Sequence, residues 1–417
     1  MMNTFFKFAI TLLSCFILIN KSFAHAVPDT MIFMDINNKE ISLELELPLS
    51  ELKIADANIY SSAVTMTPGG LEALQDYLES HIILTSQKHI FKDPSINNTH
   101  LKVINSNDYI ITTLTYSIHE QADITDIKLY YDAILHRVVS HKAHLTLRSD
   151  FNSGVFSYTA KILGTYKFSK KEIHVDRSTA SVFTGFKAMM MNGLLHIANG
   201  LDHILFLLCL LLPAPLLLKN KSWSNPAPVK ECIYTIVKTV TGFTLGHSVT
   251  LSLAVLNIIR IPSTPVEIVV AASIAFTALN AIKPLFVSST WKLAIGFGFI
   301  HGFAFANEMI AHGFTTQSII LALVGFNLGI EFMQLAIVAC VLPCLYLMSR
   351  TSLYTYFRNT FAIIACIIAL FWVAERSFDI ANPFNTLLEQ LQLTWYWVYA
   401  AFIGIGISSL GLKKIAH

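Results

Sequence analysis

The spacing of apolar residues divides the chain into two parts. Between residues 27 and 177, apolar and polar residues alternate over short segments such as 41–47, which is typical of strands with one face in a core. Helical spacing is clear only over Leu71–Ile82, where leucines recur three and four residues apart. The pattern predicts a β-rich domain, best described as a β-sandwich, with one small helical insertion.

Beyond residue 180 the pattern changes to long apolar runs separated by short polar segments. A helix needs about 20 apolar residues to cross the hydrocarbon core of a bilayer. We therefore predict an all-α polytopic membrane bundle of seven spans. In chain order, the predicted spans are residues 193–218, 232–259, 266–287, 291–310, 317–345, 357–375 and 395–412.

The first 24 residues have the features of a secretory signal peptide. Lys7 precedes a short apolar run, and Ser22-Phe-Ala24 ends it with small residues. An uncleaved anchor helix is the alternative, but the run is short for a membrane span. We divide the chain into a signal peptide (1–24), an exported β-rich domain (25–180) and a seven-helix membrane domain (181–417).

Cleavage after Ala24 would make His25 the mature N-terminus. Its free amine and imidazole could then chelate a transition metal, which gives a speculative N-terminal metal site. Cleavage after Ala26, or an exposed histidine without a ligand, is the alternative. The exported domain contains no cysteine, so a core rather than a disulfide framework must stabilise it.

Charge supports the membrane assignment and its orientation. Charged residues are 13% of the chain, against about 25% in soluble proteins. With the N-terminus exported, Arg260 and Arg376 fall outside, and nine basic residues fall on the inner side, which is the positive-inside pattern. We expect a bacterial inner (plasma) membrane protein with a periplasmic N-terminal domain and a cytoplasmic C-terminus. The nine are Lys219, Lys221, Lys230, Lys283, Lys292, Arg350, Arg358, Lys413 and Lys414.

Four predicted spans carry polar side chains at helical spacing. Ionisable residues inside a membrane are costly and usually mark a pathway or a site. One polar face on each of four helices predicts a shared polar interior. These residues are His196, Asp202 and His203 on span 1, His247 on span 2, His301 and Glu308 on span 4, and Asn327, Glu331 and Gln334 on span 5.

The geometry of span 1 decides how a metal would be held. Seven residues rise about 10 Å along a helix, whereas metal–nitrogen bonds are about 2.1 Å. His196 and His203 therefore bind one ion only if the helix breaks between them, and Asn199-Gly200 offers a break. An unbroken helix would give two layers: His196 with Glu308 outside, and His301 with the second histidine and its aspartate deeper.

Less specific roles are open for several of these residues. His247 alone could be a hydrogen-bonding partner between helices. Asp202 could orient a histidine instead of binding metal. Glu331, with Asn327 and Gln334, could orient ligands, line the path, or only join helices by hydrogen bonds.

The motifs His196-x5-Asp202-His203 and His301-Gly-x-Ala-x3-Glu308 resemble the two signatures of the HupE/UreJ family of membrane metal permeases. The segments from Phe243 to His247 and from Phe326 to Glu331 are also similar to this family, in its long form with an exported N-terminal domain. The resemblance implies a nickel or cobalt permease serving hydrogenase and urease maturation. It also implies that His196, Asp202, His203, His301 and Glu308 handle the metal. The chain departs from the family pattern at Ile197, Ile300 and Ala306.

We therefore expect a transporter of a divalent metal ion, with nickel, cobalt, zinc or iron as substrate and no prosthetic group. A periplasmic metal-donor protein would be a partner, together with the lipid bilayer. A net charge of +2 argues against nucleic acid, and no phosphate-binding loop for ATP is present. The rival hypothesis is an intramembrane metal-dependent hydrolase that uses a zinc bound by His and Asp. A third is a sensor or scaffold whose exported domain binds the ligand.

Overall fold

The computed structural model describes residues 28–86, 89–119, 122–285, 290–309, 316–384 and 390, with only the backbone of 306–309. The signal peptide, His25 and the predicted span 395–412 lie outside the described residues, and so does the side chain of Glu308.

The N-terminal domain, which the sequence predicts to be exported and which is called the exported domain below, contains two β-sheets. One has six strands in the order β5-β6-β2-β1-β8-β9, and the other has four in the order β10-β7-β3-β4. Strands β1 and β8 pair in parallel, and the remaining pairs of these sheets are antiparallel. The strands are β1 (Thr30–Ile36), β2 (Glu40–Pro48), β3 (Ile82–Ser86), β4 (His89–Phe91), β5 (Ser95–Ile104), β6 (Asn107–Ser117), β7 (Asp126–Tyr131), β8 (Ala143–Asp150), β9 (Lys161–Tyr166) and β10 (Glu172–Asp176).

The two sheets share one hydrophobic core. The alternating residues of β2 that the sequence assigned to a core face are all fully buried. From the other sheet, Tyr131 packs its ring 5.4 Å from that of Tyr166, whose hydroxyl donates to the carbonyl of Leu129. Burying a large apolar side chain contributes roughly 1.5–3 kcal/mol. The prediction of a β-rich domain is confirmed.

The helical insertion is larger than expected. Three helices lie between β2 and β3: α1 (Leu49–Ala55), α2 (Ala57–Thr65) and α3 (Pro68–His81). The predicted helix corresponds to α3, which begins with Pro68 at its first position and Thr67 accepting a hydrogen bond from Gly70 N–H. The first two helices are too short for their spacing to distinguish them from strands.

The second part of the chain is helical. Among the described residues, α7, α9 and α10 are long and apolar enough to cross a membrane. The bent pair α4–α5 makes a fourth if it counts as one span, so seven spans are not confirmed. The helices are α4 (Val182–Asn199), α5 (Leu201–Leu211), α6 (Val229–Val255), α7 (Ser263–Ile282), α8 (Thr290–Met309), α9 (Thr316–Met348) and α10 (Tyr354–Phe378), and a hairpin of β11 (Leu216–Lys219) and β12 (Ser222–Pro226) follows α5.

The boundaries of the first predicted span were wrong. Residues 193–218 are not one helix, because the helix begins at Val182, is interrupted at Gly200 and ends at Leu211. Ser181 starts it by accepting a hydrogen bond from the N–H of Thr184. Prolines at 213 and 215, which have no N–H to donate, follow its end, and the chain then enters β11.

Glycines bring four helices of this part of the chain together in two pairs. A Cβ added at Gly246 of α6 would overlap the carbonyl oxygen of Ile295 of α8, and one at Gly302 would overlap Thr250. Because these residue numbers rise together, α6 and α8 run parallel. Lipid provides no hydrophobic drive between helices, so such close backbone contact is what joins them.

The second pair joins α4 to α9. Gly329 of α9 faces the backbone of Met190 in α4, and Gly325 faces Phe186 one turn earlier. These helices are therefore also parallel. Gly193 of α4 contacts the carbonyl of Phe326, which places the polar ends of both helices next to each other.

The exported domain is attached directly to α4. The backbone carbonyl of Phe151, which follows β8, contacts α4 at Gly185, where a side chain would overlap it. Nearby, Asn192 donates to the hydroxyl of Tyr158 at 2.9 Å. The segment after β8 is fixed by a buried ion pair, in which Arg177 Nε donates to Asp150 Oδ2 at 2.6 Å.

Loss of this ion pair is expected to destabilise the exported domain. Arg177→Ala leaves Asp150 buried without its counter-charge, so we expect the free energy of unfolding to fall by about 3–5 kcal/mol. Hydrogen exchange of the full chain in detergent, read by mass spectrometry, measures the change in the exported strands. The control is Lys102→Ala, whose contact with Glu46 is half exposed and should contribute less than about 1 kcal/mol. Equal effects of the two substitutions would contradict the prediction.

The exported domain should also lose stability in acid because of His141. This side chain is buried and bonded to Thr30, and burial lowers its pKa to about 4. The unfolded chain takes up the proton near pH 6.5, so stability is complete above that pH and decreases between pH 6.5 and 4, by about 3 kcal/mol. Unfolding of His141→Gln against pH should show a shallower slope than that of the exposed control His100→Gln. The same slope in both variants would refute this account.

Candidate metal centre

A sharp bend at Gly200 shapes the polar centre of the membrane domain. Helices α4 and α5 meet there at 70°. The N–H of Gly200 still donates to the carbonyl of His196. A Cβ at this position would lie 2.8 Å from His203 Nδ1 and 3.1 Å from Asp202 Oδ1. The bend therefore leaves space for glycine and for little else.

The bend brings the histidines on either side of it together. The ring centroids of His196 and His203 are 4.7 Å apart, and His247 of α6 lies 6.3 and 6.5 Å from them. One ring nitrogen from each of the three lies within 4.8 Å of the others. The alternative of two separate metal-binding layers required an unbroken helix from His196 to His203, and this helix is broken at Gly200.

Asp202 orients His203 for binding. Its Oδ1 accepts hydrogen bonds from His203 Nδ1 and from the His203 backbone N–H, both at 2.9 Å. A carboxylate can only accept, so Nδ1 carries a proton, and the lone pair of the neutral ring is on Nε2. That Nε2 is buried and has no hydrogen bond in the described part of the chain. The pair has the arrangement by which carboxylates orient metal-binding histidines.

His301 is oriented in the opposite sense by α7. The hydroxyl of Ser273 donates to the carbonyl of Val270 at 2.7 Å, so its oxygen accepts from His301 Nε2 at 3.1 Å. The bare nitrogen is then Nδ1, which is buried and unpaired among the described residues. The His301 ring lies 5.2 Å from that of His203. A fourth imidazole thus stands beside the group of three.

Aromatic rings surround these imidazoles. Phe305 lies 4.2 Å from the His196 ring and stacks on Phe326. On the other side, Phe206 and Phe243 lie 5.2 and 5.1 Å from His301. An apolar enclosure of this kind strengthens electrostatic interactions within it.

A row of oxygen acceptors on α9 adjoins the histidines. Glu331 accepts from the hydroxyl of Thr241 at 2.6 Å, and Gln334 accepts from Thr244 at 3.0 Å. These contacts agree with a role in joining helices. Glu331 Oε2 and Asn327 Oδ1 are nevertheless buried without a hydrogen bond in the described residues, which agrees with a role in the path. The side chain of Asn327 lies beside His247 without the geometry of a hydrogen bond.

Most of the residues singled out in the sequence meet in this centre. His196, His203 and His247 form the group, Asp202 and His301 adjoin it, and the backbone of Glu308 belongs to α8. Sequence reasoning missed Ser273, because it assigned no polar role to span 3. The available signal was a small polar residue in the middle of a mostly apolar helix.

The group can bind a divalent transition metal with little rearrangement. Ligands around a tetrahedral ion with bonds of about 2.1 Å stand roughly 3.4 Å apart. The three nitrogens, within 4.8 Å of one another, need to approach by about 1.4 Å at most. Imidazoles without thiolates suit nickel, cobalt, zinc or iron.

Membrane-length helices that converge on buried imidazoles define an integral membrane protein with a polar centre. Residues 170–376 match the family model described as HupE / UreJ protein, so this part of the chain, which contains the helices of the centre, belongs to this family. No curated protein and no solved structure matches the chain. The family match covers every histidine of the centre.

Adding a methyl group at the bend should weaken metal binding. Gly200→Ala places a Cβ against His203 Nδ1 and Asp202, which displaces His203, so we expect affinity to fall about tenfold or more. Co²⁺ titration of the purified protein in detergent measures it. The control is Gly296→Ala in α8, where an added Cβ meets no atom within 4 Å. A Gly200→Ala protein with unchanged affinity would rule out the bend as the feature that assembles the group.

Proposed function

We propose that this protein is a permease that carries a divalent transition metal ion through the bacterial inner (plasma) membrane. The ion is the cargo, and nickel or cobalt is the cargo that family membership favours. The path runs between spans 1, 2, 4 and 5, with Glu308 and the histidines as ligands. The protein acts without a prosthetic group.

The observation that carries the proposal is the group of three histidines with unpaired, buried nitrogens. A buried polar group without a partner costs about 1–3 kcal/mol, so several in one place call for a ligand. Imidazole nitrogens with bare lone pairs take a metal cation. The acceptors Asn327 and Glu331 would give the ion weaker oxygen ligands after it leaves the histidines, as conduction requires.

The helix directions agree with a path in which each of the first five predicted spans crosses the membrane once. Spans 1 and 5 (α4–α5 and α9) run parallel, and so do spans 2 and 4 (α6 and α8). The side of the N-terminus rests on the basic residues of the predicted inner loops, which favour a periplasmic exported domain and a cytoplasmic C-terminus.

The intramembrane zinc hydrolase accounts for three imidazoles equally well, but it also needs a base beside a metal-bound water. Asp202 binds Nδ1 of His203, on the side of the ring opposite the bare Nε2. It is therefore poorly placed to activate a water on a metal held at Nε2. Transport needs no such base.

Replacing the oriented histidine should abolish uptake. Cells that express His203→Ala should accumulate nickel or cobalt at least about tenfold more slowly than wild type, because one of three ligands is lost. Elemental analysis of washed cells measures accumulation, with protein abundance checked by blotting. The control is His174→Ala on the exposed surface of the exported domain.

Uptake at the wild-type rate with normal abundance would remove the transport assignment. Glu308→Ala provides an independent test of the path with the same measurement. If wild-type cells accumulate no more metal than cells without the protein, the hydrolase becomes the better assignment.

A further inference from the structure

Two histidines of the exported domain that are far apart in the sequence stack against each other in the structure. His81 ends α3, and His136 lies in the turn after β7. Their ring centroids are 4.2 Å apart with an angle of 17° between the planes. The ring of Tyr77 packs against His81 at 4.6 Å and limits its movement.

One residue, Asp132, orients both rings. Its Oδ1 is 2.7 Å from His81 Nδ1, and its backbone carbonyl is 3.3 Å from His136 Nδ1. Although burial alone would raise it, hydrogen bonds from His81, Lys171 and Tyr130 hold the pKa of Asp132 below its ordinary value. Carboxylate and carbonyl oxygens only accept, so both Nδ1 atoms carry a proton, and the lone pair of each neutral ring is on Nε2.

Both Nε2 atoms are without a hydrogen bond in the described part of the chain. Neither of them is a buried unpaired atom there. The side chain of His81 is 21% exposed, and that of His136 is partly exposed. The geometry therefore places two adjacent imidazoles, with unpaired Nε2 atoms, at the edge of the domain.

We propose that His81 and His136 form a surface site on the exported domain for a divalent transition metal ion, with Asp132 as the residue that positions both rings. Nitrogen ligands of a tetrahedral ion with bonds of about 2.1 Å lie roughly 3.4 Å apart, so the two stacked rings must turn until both Nε2 lone pairs point to one ion. Water fills the other coordination positions. Two imidazoles suit nickel, cobalt, copper or zinc rather than magnesium or calcium.

The charges around the site favour moderate affinity. Lys171 Nζ lies 3.1 Å from Asp132 Oδ2, so the carboxylate is neutralised and adds little attraction for a cation. An ion held by two neutral imidazoles and water is released readily, as a site for capture requires. The proposal does not depend on transport, because binding at the surface needs no passage through the membrane.

The test uses Co²⁺ and the full chain in detergent, with His25→Ala, His196→Ala and His203→Ala as a background that removes the other expected sites. In this background we expect one Co²⁺ site by absorption titration. Adding His81→Ala and His136→Ala should lower its affinity at least tenfold, and Asp132→Asn should lower it about 10- to 100-fold. The matched control adds His100→Ala and His174→Ala and should leave the affinity unchanged.

Unchanged affinity after His81→Ala and His136→Ala, or no Co²⁺ bound in the background protein, would overturn the proposal. So would an Asp132→Asn protein that loses thermal stability but keeps its affinity, because Asp132 would then be only structural. If the double variant does not fold, X-ray absorption of bound Co²⁺ in the background protein decides. Two imidazole nitrogens support the site, and one or none overturns it.

Discussion

Imidazole nitrogens that are buried without a hydrogen-bond partner are the constraint on which the membrane domain depends. Each costs free energy that the surrounding fold must supply, and among the residues that the structure describes His196, His203, His247 and His301 all have such atoms. In two of these rings a hydrogen bond holds the proton on the other nitrogen. Asp202 accepts from Nδ1 of His203, and Ser273 accepts from Nε2 of His301, so the lone pair of each neutral ring is on the unpaired nitrogen.

Close helix packing makes this arrangement rigid. On α4, α6 and α8, the glycines that make these contacts lie within one or two turns of the histidine on the same helix. Gly193 precedes His196 by one turn, and Gly246 directly precedes His247. Backbone contact at these points fixes the positions of the imidazoles more firmly than long side chains would, because small residues lose little rotamer freedom on packing.

The sequence predicted the elements better than their contacts. Hydropathy placed α9 within a few residues, from a predicted 317–345 to Thr316–Met348, and alternation identified the buried face of β2. The sequence indicated that the helix could break at Gly200, but it did not establish the break, because glycine also occurs inside continuous helices. The sequence could not predict the pairing of His81 with His136, because the pairing depends on the sheet placing Asp132, which follows β7, next to the end of α3.

Because the exported domain is attached to α4, a movement of this domain would also move the helix. Phe151 and Tyr158 hold its outer part, at Gly185 and Asn192, while His196 is on the same rigid segment and His203 lies beyond the bend. The distance from Gly185 to His196 is about 16 Å along the axis. A tilt of this domain about Gly200 would therefore change the distance between the imidazoles of His196 and His203, so the position of the domain and the geometry of the three-histidine group are mechanically linked.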